Sequence, residues 1–190
     1  VQKDIKEKEA KIRLSNLCSI CIRICCKFVQ NNSKYQKCLF KYLPYLSTHL
    51  HLPAGQIDLI SKVFKDNYEL CSEVSGSFLQ QFVDLIWSEG RQTRFLQLFE
   101  TVQLANVEPI PDTQRLVLLT LLNSETRDHV LYMTPDSGFD FQESSSSENP
   151  FYKDQPFHYH AKLIKVLTNC GVGVSRVYLN EAKCQKIIPI

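Results

Sequence analysis

Apolar residues fall at steps of three and four along most of this chain, the spacing that puts side chains on one face of a helix. The pattern is densest between Val63 and Val102. Cys71, Val74, Phe78, Phe82 and Leu85 define one stripe, and Phe95, Leu98, Phe99 and Val102 restart the same spacing after a short break. Asp66 followed by Glu69 has the form of a capping box, in which two side chains satisfy free N–H groups at a helix start. Gly90 fits a left-handed helix stop. Ser75-Gly76-Ser77 breaks the first stripe into two helices. Helix, short turn, helix is the plan of stacked helical repeats, so the expected class is all-α, an armadillo-like helical solenoid.

The same reading extends to the flanks. A first helix is expected over about residues 3–29, ended by Asn31-Asn32-Ser33, with Ser33 capping the next helix. That second helix carries an inward stripe of Tyr35, Leu39, Tyr42, Leu46 and Leu50, and Pro44 should kink or split it. After a turn at residues 49–53, a short helix over 54–65 presents Ile57, Ile60 and Phe64. Residues 106–112, with Pro109 and Pro111, are expected to be a linker, and 114–123 a buried helix. Residues 130–133 fit either an extended piece or a frayed helical turn. Residues 134–156 form the clearest loop, with Pro135, Gly138 and the serines at 144–147, a spacer whose serines are open to phosphorylation. A helix pattern resumes over 161–168, so the organisation expected is stacked helices to 133, a flexible Ser-rich loop, and a helix pair over 157–190.

Composition changes this picture little. A hydrophobic fraction of 44% over 190 residues supports a real core. Six Gly and eight Pro favour helices over a strand-and-turn sandwich. Net charge is +2, from 22 basic and 20 acidic side chains, which points away from a nucleic-acid partner. No apolar run reaches the roughly 18 residues a membrane helix needs. The opening KDIKEKEAKIR places Asp4–Lys8, Glu7–Lys11 and Glu9–Arg13 at i,i+4, the signature of a solvated helix start. A first residue of Val1 and an end on IIPI are expected of a piece of a longer chain, a processed chain being the alternative.

Eight cysteines pose the main chemical question. Four of them, Cys18, Cys21, Cys25 and Cys26, fall in the first helix. Cys18, Cys21 and Cys25 share a face with Leu14, Leu17 and Phe28, and such neighbours meet disulfide geometry poorly. Reduced cysteine packs as a small apolar residue, so core packing in a reducing compartment is the expectation. Cys18-x-x-Cys21 with His49-x-His51 has the residue types of a zinc site. The pair lies within a helical stripe, however, rather than on the turn that structural zinc favours, and no metal is assigned.

Other signals are weaker. His158 and His160 stand two apart on a helix pattern, which splays their rings, and read as capping or core residues. Lys34, Lys37 and Lys41 form a basic row that reads as an exposed face rather than a phosphate pocket. No residue is assigned a catalytic, cofactor-binding or metal-binding role, no cofactor is implied, and the chain is not expected to be an enzyme.

NYELCSEV at 67–74 and FVDLIWSEGRQTRFLQLFETV at 82–102 resemble the helical modulatory region of the inositol trisphosphate receptor and ryanodine receptor calcium-release channels. The likeness is closer to the inositol trisphosphate receptor, whose corresponding helices meet around a Gly-Arg turn. FHYHAKLIKVLTNCGVG at 157–173 and YLNEAKCQKIIPI at 178–190 resemble a later block of the same channels, in the same order. DHVLYMTPD at 128–136 is similar to a short segment between the two. The resemblance implies a cytosolic, force-transmitting segment that couples ligand binding to pore opening. It also implies a homotetramer in the endoplasmic reticulum membrane, with the partners of this segment being other domains and subunits of that channel. Gly171-Val-Gly173 resembles the channels' selectivity filter only superficially, since no span flanks it; helix termination is the better reading. Two alternatives from other classes are a free-standing armadillo-like interaction scaffold and a redox- or metal-responsive regulator built on the cysteine helix.

Overall fold

A helix start is favoured where a side chain can accept the first free backbone N–H groups. In the computed structural model, which describes residues 2–51, 55–131 and 156–173, a side-chain cap of this kind starts three of the described helices. Helix α1 runs Gln2–Val29, α2 Ser33–Phe40 and α3 Leu43–Ser47. Then come α4 Gln56–Phe64, α5 Tyr68–Ser72, α6 Gly76–Glu89 and α7 Thr93–Val102. A two-stranded hairpin, β1 Leu104–Ala105 and β2 Glu108–Pro109, precedes α8 Pro111–Leu121, α9 Arg127–Val130 and α10 Pro156–Asn169. The class is all-α apart from that hairpin. Residues 134–155 of the loop expected over 134–156, and the final helix expected over 178–190, lie outside the described residues, and Pro156 begins α10.

Two caps differ from expectation by one position, in opposite directions. Asn32, not Ser33, accepts the Tyr35 N–H at the start of α2, and Asn67, not Asp66, accepts the Leu70 N–H at the start of α5. Asp66 is left-handed, at φ 57°, and so cannot be the extended cap residue, whereas Ser33 is already the first helical residue of α2. Ser75 does cap α6, accepting the Phe78 N–H, and splits α5 from α6 as expected. Gly90 ends α6 at φ 87° and ψ 174°, a region open essentially to glycine alone and not the left-handed helical stop.

The expected stripe of α2–α3 holds for Leu39, Leu46 and Leu50, which pack in or against the core, and fails for its two tyrosines. Gln36, Leu43 and Leu50 are the buried set, whereas Tyr35 and Tyr42 are exposed. The chain breaks after Phe40, and Pro44 sits in the first turn of α3, where its missing N–H is harmless.

Residues 106–112 are not a linker. Asn106 and Val107 form the two-residue turn of the hairpin, which pairs Leu104 with Pro109 and Ala105 with Glu108. The chain then enters α8 at once, with Pro111 in its first turn. Asp66, displaced from its expected capping role, accepts the Asn106 N–H at 3.1 Å and ties the hairpin to the end of α4.

The core centres on α7, whose Phe95, Leu96, Leu98, Phe99 and Val102 are all fully buried. Packing is serial around it: α1 lies on α4, α4 on α7, and α7 on α10, with α6 and α8 closing one side. Rings link successive helices. Phe40 meets Phe64 at 5.8 Å, Phe64 meets Phe78 at 6.1 Å, Phe78 meets Phe82 at 5.7 Å, and Phe82 meets Phe99 at 6.3 Å. The expected face of α5–α6 is only partly right. Cys71, Val74 and Phe82 are buried, but α6 turns Leu79, Val83 and Ile86 inward beside Phe82, leaving Phe78 and Leu85 at the edge of the core.

Candidate functional site

A helix leaves its last carbonyls without intrahelical partners, and a buried helix end needs donors from elsewhere. Three helices of this fold solve that with one long side chain each, supplied from a distant element. The buried Gln36 of α2 donates through Nε2 to the carbonyls of Lys62 (3.0 Å) and Lys65 (2.9 Å), capping α4. Arg91, in the turn after α6, donates to the carbonyls of Asp128, His129 and Leu131 at 2.8–2.9 Å and so holds α9. Gln114 of α8 donates to the carbonyls of Asn169 (2.8 Å) and Val172 (3.0 Å) at the end of α10. These joints connect elements far apart in sequence.

Further contacts reinforce the joints. Trp87 of α6 stacks on His129 with ring centroids 5.0 Å apart and 20° between planes, so α9 is held by the end of α6 as well as by Arg91. Tyr159 of α10 is fully buried and donates its hydroxyl to the Val130 carbonyl at 3.1 Å. Gly173 lies against the hairpin, where an added Cβ would fall 2.5 Å from Cγ of Pro109. Helix termination, not a pore-like function, accounts for the Gly171–Gly173 stretch.

Two charged nodes lie on the serial path. Asp58 of α4 accepts from Lys62 (2.8 Å), from Gln97 of α7 (3.4 Å) and from the thiol of Cys26 of α1 (3.6 Å), joining three helices. Burial pushes the Asp58 carboxyl up, but hydrogen bonds from Lys62, Gln97 and Cys26 and the Lys62 charge outweigh it and leave the pKa lowered. The same Lys62 is shifted upward by its bond to Asp58. At the other end of the path, Glu100 of α7 pairs with Lys162 and with Lys165 (2.6 Å) of α10. Burial raises the Glu100 carboxyl, and the two lysines bring it below its usual value.

The cysteine expectation holds for only part of the set. Cys26 is buried, and burial followed by the Asp58 charge pushes its thiol up to about 11. Cys71 is fully buried, and burial raises it to about 12; Cys170 is raised to about 12 by burial as well. Cys18, Cys21 and Cys38 are exposed, contrary to core packing. The reason is that α1 turns Ile22, Cys25, Cys26 and Val29 toward α4 and α2, leaving the face with Leu14, Leu17, Cys21 and Phe28 outward. All seven cysteines among the described residues are free thiols, and no group of three or more His, Cys, Asp or Glu is placed there to hold a metal.

Of the basic row on α2, Lys37 pairs with Glu69 at 2.5 Å, while Lys34 and Lys41 stand exposed. The joints themselves were missed in the sequence reading. Arg91 could have been suspected from an arginine directly after a helix-ending glycine, but Gln36 and Gln114 carry no local signal of their long-range partners.

No helix among the described residues is long and apolar enough to cross a membrane. Against known families, residues 1–134 match the model of the RIH domain, which spans the 67–74 and 82–102 segments and the Gly90–Arg91 turn. The match covers more than half of the chain, and on it the chain belongs to the RIH-domain family of the ryanodine and inositol trisphosphate receptor calcium-release channels.

Proposed function

We propose that this chain is a cytosolic, force-transmitting segment of an intracellular calcium-release channel of the inositol trisphosphate receptor type, and that it couples ligand binding to pore opening. The family match over residues 1–134 carries the reading. The fold supports it in two ways. Serial packing from α1 through α4 and α7 to α10 offers a continuous path in which each helix touches mainly its neighbours, so small rotations accumulate. The clamped helix ends make that path stiff, because moving α9 or α10 breaks several hydrogen bonds at once. In this reading residues 1–133 form an armadillo-like solenoid slice, 134–156 a flexible loop and 157–190 a further helix pair. The whole channel is a homotetramer of the endoplasmic reticulum membrane with this segment on the cytosolic side, contacting other domains and subunits.

The Arg91 joint provides the test. In the whole channel, Arg91→Met keeps the length of the side chain and removes its donors to α9. Agonist binding should be retained while agonist-evoked calcium release falls roughly five-fold or more, the scale of an ordinary coupling free energy. Normal release from a channel whose α9 amides have become fast-exchanging would sink the coupling role, as would a loss of agonist binding matching the loss of release. The alternative of a free-standing interaction scaffold draws on the exposed apolar face of α1. Membrane spans encoded elsewhere in the same reading frame decide against it.

A further inference from the structure

Helix α1 is apolar on two faces about a third of a turn apart, a wider apolar surface than a helix lying on one side of a core requires. Its inner side packs on α4 and α2 through Ile22, Cys26 and Val29. On the outer side Ala10, Leu14, Leu17, Cys21, Ile24 and Phe28 follow steps of four and three without a break, the a/d seam of a coiled coil. All six are exposed, Leu14, Leu17, Ile24 and Phe28 by 51–62%. The seam runs into an apolar groove of about 250 Å³ between α1 and α2, lined by Cys25, Phe28, Val29, Tyr35, Cys38 and Leu39. A row of large exposed apolar side chains continuous with a concave groove marks a docking surface.

Charge identifies the occupant. From Ala10 to Ile57 every Asp, Glu, Lys or Arg in the sequence is Lys or Arg. Arg23 and Lys27 on α1, Lys34 on α2 and Lys41 just after it are exposed and have no ion-pair partner among the described residues. A second copy of α1 would bring like charges together along the seam, which disfavours self-pairing. We propose that the outer face of α1 and the α1–α2 groove bind an amphipathic helix of a partner protein, one with an apolar seam at heptad spacing and acidic residues along its flanks. A helix suits the surface better than an anionic bilayer does. The seam is a straight single row and the groove beside it is concave, whereas a lipid surface needs a projecting convex face.

The probe is a synthetic peptide of about three heptads with Leu at a and d and Glu at e and g, mixed with the full chain. Binding is followed by fluorescence anisotropy, and the site by alkylation of Cys21, which the bound helix should shield, compared with Cys18 at the edge of the seam. Leu17→Glu with Ile24→Glu should weaken binding roughly tenfold or more, and Lys27→Glu with Lys34→Glu should weaken it by a similar factor. All four positions are exposed, so circular dichroism and the unfolding midpoint should stay unchanged. A peptide with Lys at e and g should fail to bind. Equal binding of the two peptides, or no shielding of Cys21, overturns the assignment. A concentration-dependent dimer that Leu17→Glu dissolves replaces it with self-association. Adsorption to phosphatidylcholine–phosphatidylserine vesicles, without binding of the acidic peptide, replaces it with a membrane surface.

Discussion

The side-chain amides of Gln36 and Asn67 face each other inside the protein, with Asn67 Nδ2 donating to Gln36 Oε1 at 2.9 Å. Both residues do a second job. Gln36 holds the last carbonyls of α4, and Asn67 accepts the Leu70 N–H at the start of α5. The pair therefore turns the chain from one helix into the next while leaving neither amide unsatisfied. Leucine at position 36 would fill nearly the same volume but orphan two carbonyls and the Asn67 amide. Gln36→Leu is expected to destabilise by about 2–3 kcal/mol, since each unpaired buried group costs about 1–3 kcal/mol. Urea unfolding of the two proteins measures it. A midpoint unchanged within error would mean that water satisfies these groups and the joint is not structural.

This pair also marks the limit of what the chain reveals unaided. The helical class, the split at Ser75-Gly76-Ser77 and the buried set of α7 follow from local spacing, because each depends on neighbours three or four residues away. Gln36 is different. Nothing within reach of position 36 in sequence distinguishes it from Gln30 or Gln80; what buries it is the end of α4, more than 25 residues on. Cys21 and Leu17 fail for a related reason. Periodicity identifies an apolar face but not whether anything covers it, and α1 has two such faces. The hairpin escaped because its turn is Asn-Val, without the glycine that normally announces a two-residue connection.

Glu100 should make the packing of α10 on α7 sensitive to acid. Its folded pKa lies below the ordinary value of 4.5, so the stabilisation is fully present above that value and fades as pH falls through the lower folded one. Protection of α10 amides against hydrogen exchange, corrected for the intrinsic rate, should fall at low pH more than that of α6 amides. Glu100→Gln should remove this difference and loosen α10 at neutral pH by roughly 1–2 kcal/mol, through two lost charged hydrogen bonds. Equal acid sensitivity of α10 in the wild-type and Glu100→Gln proteins would assign the effect to other carboxylates.

Thiol chemistry should divide the cysteines cleanly. The thiolate is the reactive form, so a group raised to about 11 or 12 and buried alkylates slowly. Cys18, Cys21 and Cys38 should react with a maleimide in the native protein, Cys170, which is half-buried, more slowly, and Cys26 and Cys71 only on unfolding. Peptide mass mapping over a time course reads each site separately. Rapid native labelling of Cys71, which is fully buried and donates to the Phe64 carbonyl at 3.1 Å, would contradict the packing of α4 against α5.

The hairpin turn carries strain that a single substitution should release. Asn106 and Val107 have φ of 50° and 71°, the paired positive values of a type I′ turn. Asparagine tolerates this conformation; a β-branched valine does not, and is strained there by about 1–2 kcal/mol. Val107 is 86% exposed, so its side chain contributes almost no burial to offset the strain. Glycine removes the clash but adds freedom to the unfolded chain, which cancels part of the gain. Val107→Gly should therefore stabilise by about 0.5–1 kcal/mol, a rise in the thermal midpoint of a few degrees for a domain of this size. Val107→Ala separates the two effects: alanine relieves only the β-branching and should recover less than glycine does. A Val107→Gly protein less stable than the wild type would mean that the valine is held by a contact outside the turn.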